Sequence, residues 1–222
     1  NFPGKQGQGE VYLAAPDVVA ASAVAGYITT PDAIPKEIPA RPVERKKTTA
    51  AVREKDDARD GNPLEVKGRV WVINEDDIDT DMIFHNRHLA ITDPGEMAVH
   101  AFGNLEGYED FAQQVTPGDI ILTGKNFGAG SSRQQAVDCF RALGIAAVIA
   151  TSFGAIYERN AINSAFPILT GLDLDELEVE TGDQVHVDFG RGTMTLLKDN
   201  ITLQLQPFSE VQMEIYRNNG LF

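Results

Sequence analysis

The segment Gly124 to Ala136 (GKNFGAGSSRQQA) carries the densest chemistry in the chain. It follows a strand-like run and opens a helix-like one. Gly124, Gly128 and Gly130 allow the backbone to turn tightly and approach a ligand. Ser131 and Ser132 fall where a helix is expected to begin, with free N–H groups and the positive end of the helix dipole. Arg133 adds a bidentate cationic fork. Together these features suit a carboxylate or phosphate, although a Gly-rich turn with a Ser cap has the same composition. The segment is not a nucleotide-binding Walker loop, because no Gly-Lys-Ser/Thr closes it. Its glycine spacing also differs from the dinucleotide fingerprint.

Other candidate groups stand upstream. Asp76 to Ile83 (DDIDTDMI) places Thr80 and Asp81 in an acid-rich turn, where an Asp is equally at home as a turn former. His85 to Leu89 (HNRHL) offers Arg87 between two histidines at three-residue spacing, with no third metal ligand nearby in sequence. The single cysteine, Cys139, lies on the apolar side of the following helix and reads as a packing residue.

Elements that position these groups are legible in the patterning. Gly68 to Asn74 is a β-branched strand, and Thr116-Pro117-Gly118 turns into a second, Asp119 to Thr123. Arg133 to Leu143 has helical spacing (Ala136, Val137, Phe140, Leu143) and stops at Gly144. Ala146 to Ala150 is a short buried strand, and Ala155 to Ala165 a second helix ending near Pro167. This alternation implies an α/β fold with a parallel or mixed sheet. Gln184 to Phe189, Thr193 to Leu197 and Ile201 to Leu205 alternate like antiparallel strands. Ser209, with Gln212 three residues on, starts a last helix with a capping box.

The N-terminal part is organised differently. Glu10 to Leu13 suits a short strand, and Asp17 to Gly26 a helix. These pieces are too small to fold alone and read as the tail of a preceding domain, residues 1–30. Residues 31–66 combine a first part punctuated by Pro31, Pro35, Pro39 and Pro42 with a charged run, the composition of a flexible linker. Residues 67–222 form the main domain.

Acidic residues outnumber basic ones by 33 to 19, giving a net charge of -14 and opposing non-specific nucleic-acid binding. A few placed arginines can still attract anionic substrates. No run of about 18 apolar residues suggests a membrane span. One cysteine excludes an internal disulfide and points to a reducing compartment, the cytoplasm or an organelle matrix. It also cannot hold an iron–sulfur cluster, which takes several thiolates.

Three segments resemble aconitase-superfamily motifs. NFGAGSSRQQA is similar to NFGCGSSREHA of the isopropylmalate isomerase and homoaconitase small subunits. DDIDTDMI is similar to DNIDTDxI, and Ser152 to Asn163 (SFGAIYERNAIN) to SFARIFYRNAIN. They occur in family order over about residues 67–170. The first 26 residues resemble the end of the family's cluster-bearing core.

The resemblance implies a swivelling β/β/α domain with a mixed sheet and flanking helices. It implies one part of a hydro-lyase that isomerises a 2-hydroxy di- or tricarboxylate by dehydration and rehydration. The Asn-Phe-Gly wording points to isopropylmalate or homoaconitate rather than citrate. The implied [4Fe–4S] cluster is bound by upstream domains, not by this chain, so the implied partner is the cluster-bearing core, with no nucleic acid and no membrane. By motif position Ser131 is the base, Ser132 a neighbouring hydrogen-bond donor, and Asp81 an acid supporting proton handling with Thr80. Arg133 is the carboxylate clamp, Gly130 lines the substrate, and Arg87 reads the substrate side chain. Lys5 stands where the family usually has a substrate-binding Arg, keeping the charge but not the fork. Arg159, Asn160 and Asn163 suit packing as well as binding. The chain departs from the family at His88 (usually Tyr), at Ala129 (Cys or Gln) and at Gln134-Gln135 (Glu-His). A non-catalytic anion-binding module is the reading of another class.

Overall fold

The computed structural model describes residues 12–34 and 62–221. The chain divides into two units, Asn1–Ala58 and Arg59–Phe222. Lys5, most of the expected linker, and Glu10 and Val11 of the first expected strand lie outside the described residues. Tyr12 and Leu13 are not in a strand.

In the first unit, α1 (Pro16–Ala25) starts at a proline, which has no N–H to leave unpaired, and ends at Gly26 in the left-handed conformation. Ser22 Oγ accepts from Thr29 N at 3.0 Å and folds the chain back past the helix end.

The second unit is a seven-stranded mixed sheet in the order β4-β3-β2-β1-β5-β6-β7. Its strands are β1 (Glu65–Ile73), β2 (Ile120–Thr123), β3 (Ala147–Ala150), β4 (Ile168–Thr170), β5 (Gln184–Asp188), β6 (Thr193–Leu196) and β7 (Ile201–Gln204). The strand expected from Gly68 therefore begins earlier, at Glu65. Strand β1 belongs to both halves of the sheet. Val70–Ile73 pair in parallel with Ile120–Thr123 of β2, whereas Glu65–Arg69 pair antiparallel with Gln184–Asp188 of β5. Strands β2, β3 and β4 continue the parallel half, and β5, β6 and β7 the antiparallel half.

Successive strand residues point to opposite faces, and both faces of the parallel half are covered, so β2 and β3 are buried at every position. One core holds Trp71, Ile73, Ile121, Val148 and Ala150 against Ala136, Val137 and Phe140 of helix α5 (Gln135–Leu143). The other holds Val70, Ile120, Leu122 and Ile149 with Val185, Val187, Met194 and Leu196. Helix α6 (Ala155–Asn163) stops before the expected Ala165, whose φ of +54° is incompatible with a right-handed helix, and Ser164 Oγ donates to the carbonyls of Asn160 and Ala161 at its end. Helix α7 (Glu210–Arg217) carries the expected Ser209–Gln212 capping box. Its Tyr216 donates to Pro63 O at 2.9 Å, fastening the entry to β1.

Three one-turn helices were not anticipated: α2 (Thr80–Ile83), α3 (Pro94–Ala98) and α4 (Phe111–Gln114). Among the described residues, no helix is long and apolar enough to cross a membrane.

A buried carboxylate fixes the start of β2. Asp119 accepts from Arg69 Nη2 at 2.6 Å, Trp71 Nε1 at 2.9 Å and Thr116 N at 2.9 Å. Burial pushes its pKa up, and these donors outweigh burial, leaving it below the usual carboxylate range. Asp119→Ala strands those donors and should destabilise the domain by about 3 kcal/mol in chemical denaturation, as expected for breaking a buried pair.

Candidate active site at the ends of the parallel strands

The three motifs meet where β1, β2 and β3 end, the side of a parallel sheet on which ligand crevices form. Isolated bridges join Asp79 to Ala129 and Phe127 to Phe153, so the loop after β2 is paired on both sides. Gly128 N donates to Ile78 O at 2.7 Å and Thr80 N to Ala129 O at 2.9 Å. Lys125 N donates to Asp76 Oδ1 at 2.6 Å, and Asn126 Nδ2 to Asp77 Oδ1 at 2.7 Å. On the other side Gly154 N donates to Phe127 O at 2.8 Å.

Two glycines of this loop have distinct reasons. Gly128 has φ +77°, and a Cβ there would lie 2.2 Å from the Tyr157 ring, which seats directly on the backbone. Gly130, φ +94°, would bring a Cβ only into ordinary contact with Thr80 Oγ1 at 3.7 Å, but it has a conformation that L side chains rarely adopt. It turns the chain so that Gly130, Ser131 and Ser132 emerge exposed.

The buried Thr80 donates from Oγ1 to Ser131 O at 3.1 Å and so holds the seryl backbone from below. The helix begins later than the sequence implies. Its first residue is Gln135, so Ser131 and Ser132 precede its first turn rather than forming it. Support for the serines therefore comes from the preceding loops more than from the helix dipole.

Arg133 is also placed differently from an open clamp. It is 8% exposed, donating from Nη2 to Asp81 Oδ2 at 2.5 Å and from Nη1 to Phe84 O at 3.3 Å. Asp81 is the more exposed partner, at 38% of its side chain. Its other oxygen accepts from Asn86 N at 3.0 Å, and its backbone carbonyl accepts from Asn104 Nδ2 at 3.3 Å. The Arg133 hydrogen bond, then its charge, hold the Asp81 carboxyl below the usual range against the opposing effect of burial. Asp79, not singled out in the sequence, accepts from Asp81 N at 2.7 Å and Met82 N at 2.8 Å and caps α2.

Arg87 lies exposed on the short 3₁₀ turn Asn86–His88, directly after the segment that bonds Asp81. Gln135 Nε2 donates to Leu89 O at 3.2 Å and ties this loop to α5, a role found at one of the positions that departs from the family pattern. Arg159 is exposed on α6, and Asn160 accepts from Ser164 at the helix end.

The aconitase C-terminal domain family matches residues 72–170, which span all three motifs and the loops just described. A 3-isopropylmalate dehydratase small subunit from Halothermothrix orenii is 41% identical over 158 residues, covering 71% of this chain and 93% of that one. The chain belongs to the aconitase family. A methanogen homoaconitase small subunit from Methanothermobacter thermautotrophicus is 38% identical over 157 residues, covering 70% of this chain and 88% of that one. The crystal structure of a 3-isopropylmalate dehydratase from Methanocaldococcus jannaschii superposes with a TM-score of 0.66 at 37% identity, covering 71% and 91%.

The aconitase family uses a [4Fe–4S] cluster, and the residues of this chain do not fit one. Its single cysteine, Cys139, is fully buried on α5, where burial pushes the thiol pKa up, and cluster ligation takes several thiolates. Among the described residues no group of three or more His, Cys, Asp or Glu is arranged to hold a metal ion.

The Asp81–Arg133 pair has a pH signature. Because the folded state lowers the Asp81 pKa, its stabilisation is fully present above the unfolded-state value and is lost as pH falls through the folded value. Asp81→Asn should therefore flatten part of the acid limb of stability against pH. It should also cost on the order of 1–2 kcal/mol near neutrality, less than a fully buried pair because Asp81 is partly exposed. Denaturation from neutral pH down to the acid transition measures both.

Proposed function

We propose that this chain is the base-bearing, substrate-binding component of a hydro-lyase that isomerises a 2-hydroxy di- or tricarboxylate, of the isopropylmalate or homoaconitate type. The observation that carries the reading is the placement of Ser131 and Ser132. They stand exposed on a loop laced into its neighbours, in the two positions before a buried, ion-paired Arg133. A general base needs this combination of an accessible oxygen and a backbone that does not wander. The small-subunit relatives, named for isopropylmalate and homoaconitate chemistry, support the substrate class.

In this reading Ser131, as its alkoxide, takes the proton from the carbon next to the hydroxyl-bearing one, the hydroxyl leaves as water with a proton from an acid of the assembled site, and water adds back with the two positions exchanged. Ser132 and the Gly130 backbone present donors to a substrate carboxylate. Arg133 fixes Asp81 rather than meeting solvent, so its charge acts on the serines through the framework. Arg87 is an exposed cation available to a substrate carboxylate, and the family resemblance gives the same role to Lys5, which lies outside the described residues. The [4Fe–4S] cluster belongs to a core or large-subunit partner that closes over this surface, in a reducing compartment.

Turnover of the full protein together with its cluster-bearing partner, reconstituted anaerobically, should be compared on isopropylmalate, homoaconitate and citrate. One of the first two should be preferred, and Ser131→Ala should lower its kcat by roughly 10²–10⁴-fold, the usual contribution of general base catalysis. No turnover on any of the three with an intact cluster would replace this reading with a non-catalytic anion-binding module.

A further inference from the structure

Two histidines bond Arg87, and a third, His100, stacks on one of them. His88 and His100 stack face to face, their ring centroids 3.7 Å apart and their planes 12° from parallel. His85 lies 6.5 Å from His88, and Phe84 turns toward both stacked rings at 6.1 and 6.3 Å. Spacing in sequence admits a metal site at His85 and His88, but the stack argues against one. Imidazole lone pairs lie in the ring plane, so two parallel stacked rings do not converge on one ion.

The polar contacts show a different use. Arg87 Nε donates to His88 Nε2 at 2.9 Å, and Arg87 N donates to His85 Nδ1 at 3.1 Å. Accepting at Nε2 requires a neutral His88 with its proton on Nδ1. The bond engages the inner nitrogen of the guanidinium and leaves the two terminal nitrogens, the fork that grips a carboxylate end-on. The turn that bears Arg87 is fixed to the candidate site by the Asn86 N to Asp81 Oδ1 bond.

We propose that His88, braced by His100, is a positioning residue that orients Arg87 for a substrate carboxylate only while His88 is neutral, making substrate capture pH-dependent. This rests on the reading of Arg87 as a substrate-binding residue. Protonation of His88 converts an acceptor into a cation facing the guanidinium. The bond is then replaced by repulsion, and Arg87 loses its fixed direction. The groups around His88 reinforce the neutral form. Burial, then the electrostatic influence of His100, Arg87 and His85, holds its pKa below the usual histidine value, while the Asp81 carboxylate is engaged by Arg133. Near neutral pH the clamp is therefore set, and acidification through the His88 pKa releases it.

The test combines kinetics on the enzyme assembled with its cluster-bearing partner and histidine NMR on the full chain. His88→Phe keeps a stacking ring without the acceptor. It should raise KM about tenfold with kcat little changed, as expected for one hydrogen bond to a charged group. His88→Gln keeps an acceptor that does not titrate, and should retain a low KM while removing the rise in KM that the parent shows on acidification. Arg87→Ala should raise KM further, and adding His88→Phe to it should change nothing more. By ring-nitrogen NMR, neutral His88 should carry its proton on Nδ1, and its pKa should rise in Arg87→Ala. Unchanged KM in Arg87→Ala would overturn the substrate-binding role of Arg87. A raised KM there, with an additive His88→Phe effect or an Nε2-protonated neutral His88, would overturn the positioning role alone.

Discussion

The pair between Asp81 and Arg133 joins two segments that are 52 residues apart in sequence, and the candidate site depends on it. A guanidinium this buried needs a fixed counter-charge, because removing a charge from water is expensive unless it is paired and hydrogen-bonded. Asp81 supplies that charge, and Asp79 caps the short helix that presents it. The same helix begins with Thr80, which holds Ser131 through its backbone carbonyl. One electrostatic requirement therefore orders a one-turn helix, a glycine loop and the turn that carries Arg87. None of these would keep its shape alone, since single turns of helix are unstable without tertiary support.

Much of the frame was legible because it follows local rules. The β-branched run at β1, the short apolar runs at β2 and β3, the alternating runs at β5, β6 and β7, the spacing of Ala136, Val137 and Phe140, and the Ser209–Gln212 box each state their element within a few residues. Helices α2, α3 and α4 were not legible. They are four or five residues long, and two are held by aspartate caps that read equally well as turns. The switch from parallel to antiparallel pairing across β1 is a property of the whole chain and leaves no mark inside the strand. In the site, the fold brings together the loops of Ser131, Asp81 and Arg133, which the three motifs single out. That Arg133 faces inward to Asp81 rather than outward, that the helix starts at Gln135, and that His100 stacks on His88 are non-local facts that residue order does not encode.

Chemistry and scaffolding are divided unequally between the two halves of the sheet. The family match, residues 72–170, covers the parallel strands and every loop of the candidate site that the structure describes. Strands β5, β6 and β7 contribute no residue to that site, yet β5 and β6 complete the second core with Val185, Val187, Met194 and Leu196. Rigid strands beneath a loop-built site hold reacting groups in place at little entropic cost during the reaction.

The shared strand β1 gives the antiparallel half a purpose of its own. Without β5, residues Glu65 to Arg69 would run as an unpaired row of backbone donors and acceptors beside a buried apolar layer, a template for pairing with other chains. The antiparallel meander closes that side and moves the free edge out to β7, where Ile201, Thr202 and Gln204 are exposed and the strand is only four residues long. The domain thus moves its open margin from beside the candidate site to a strand far along the sheet.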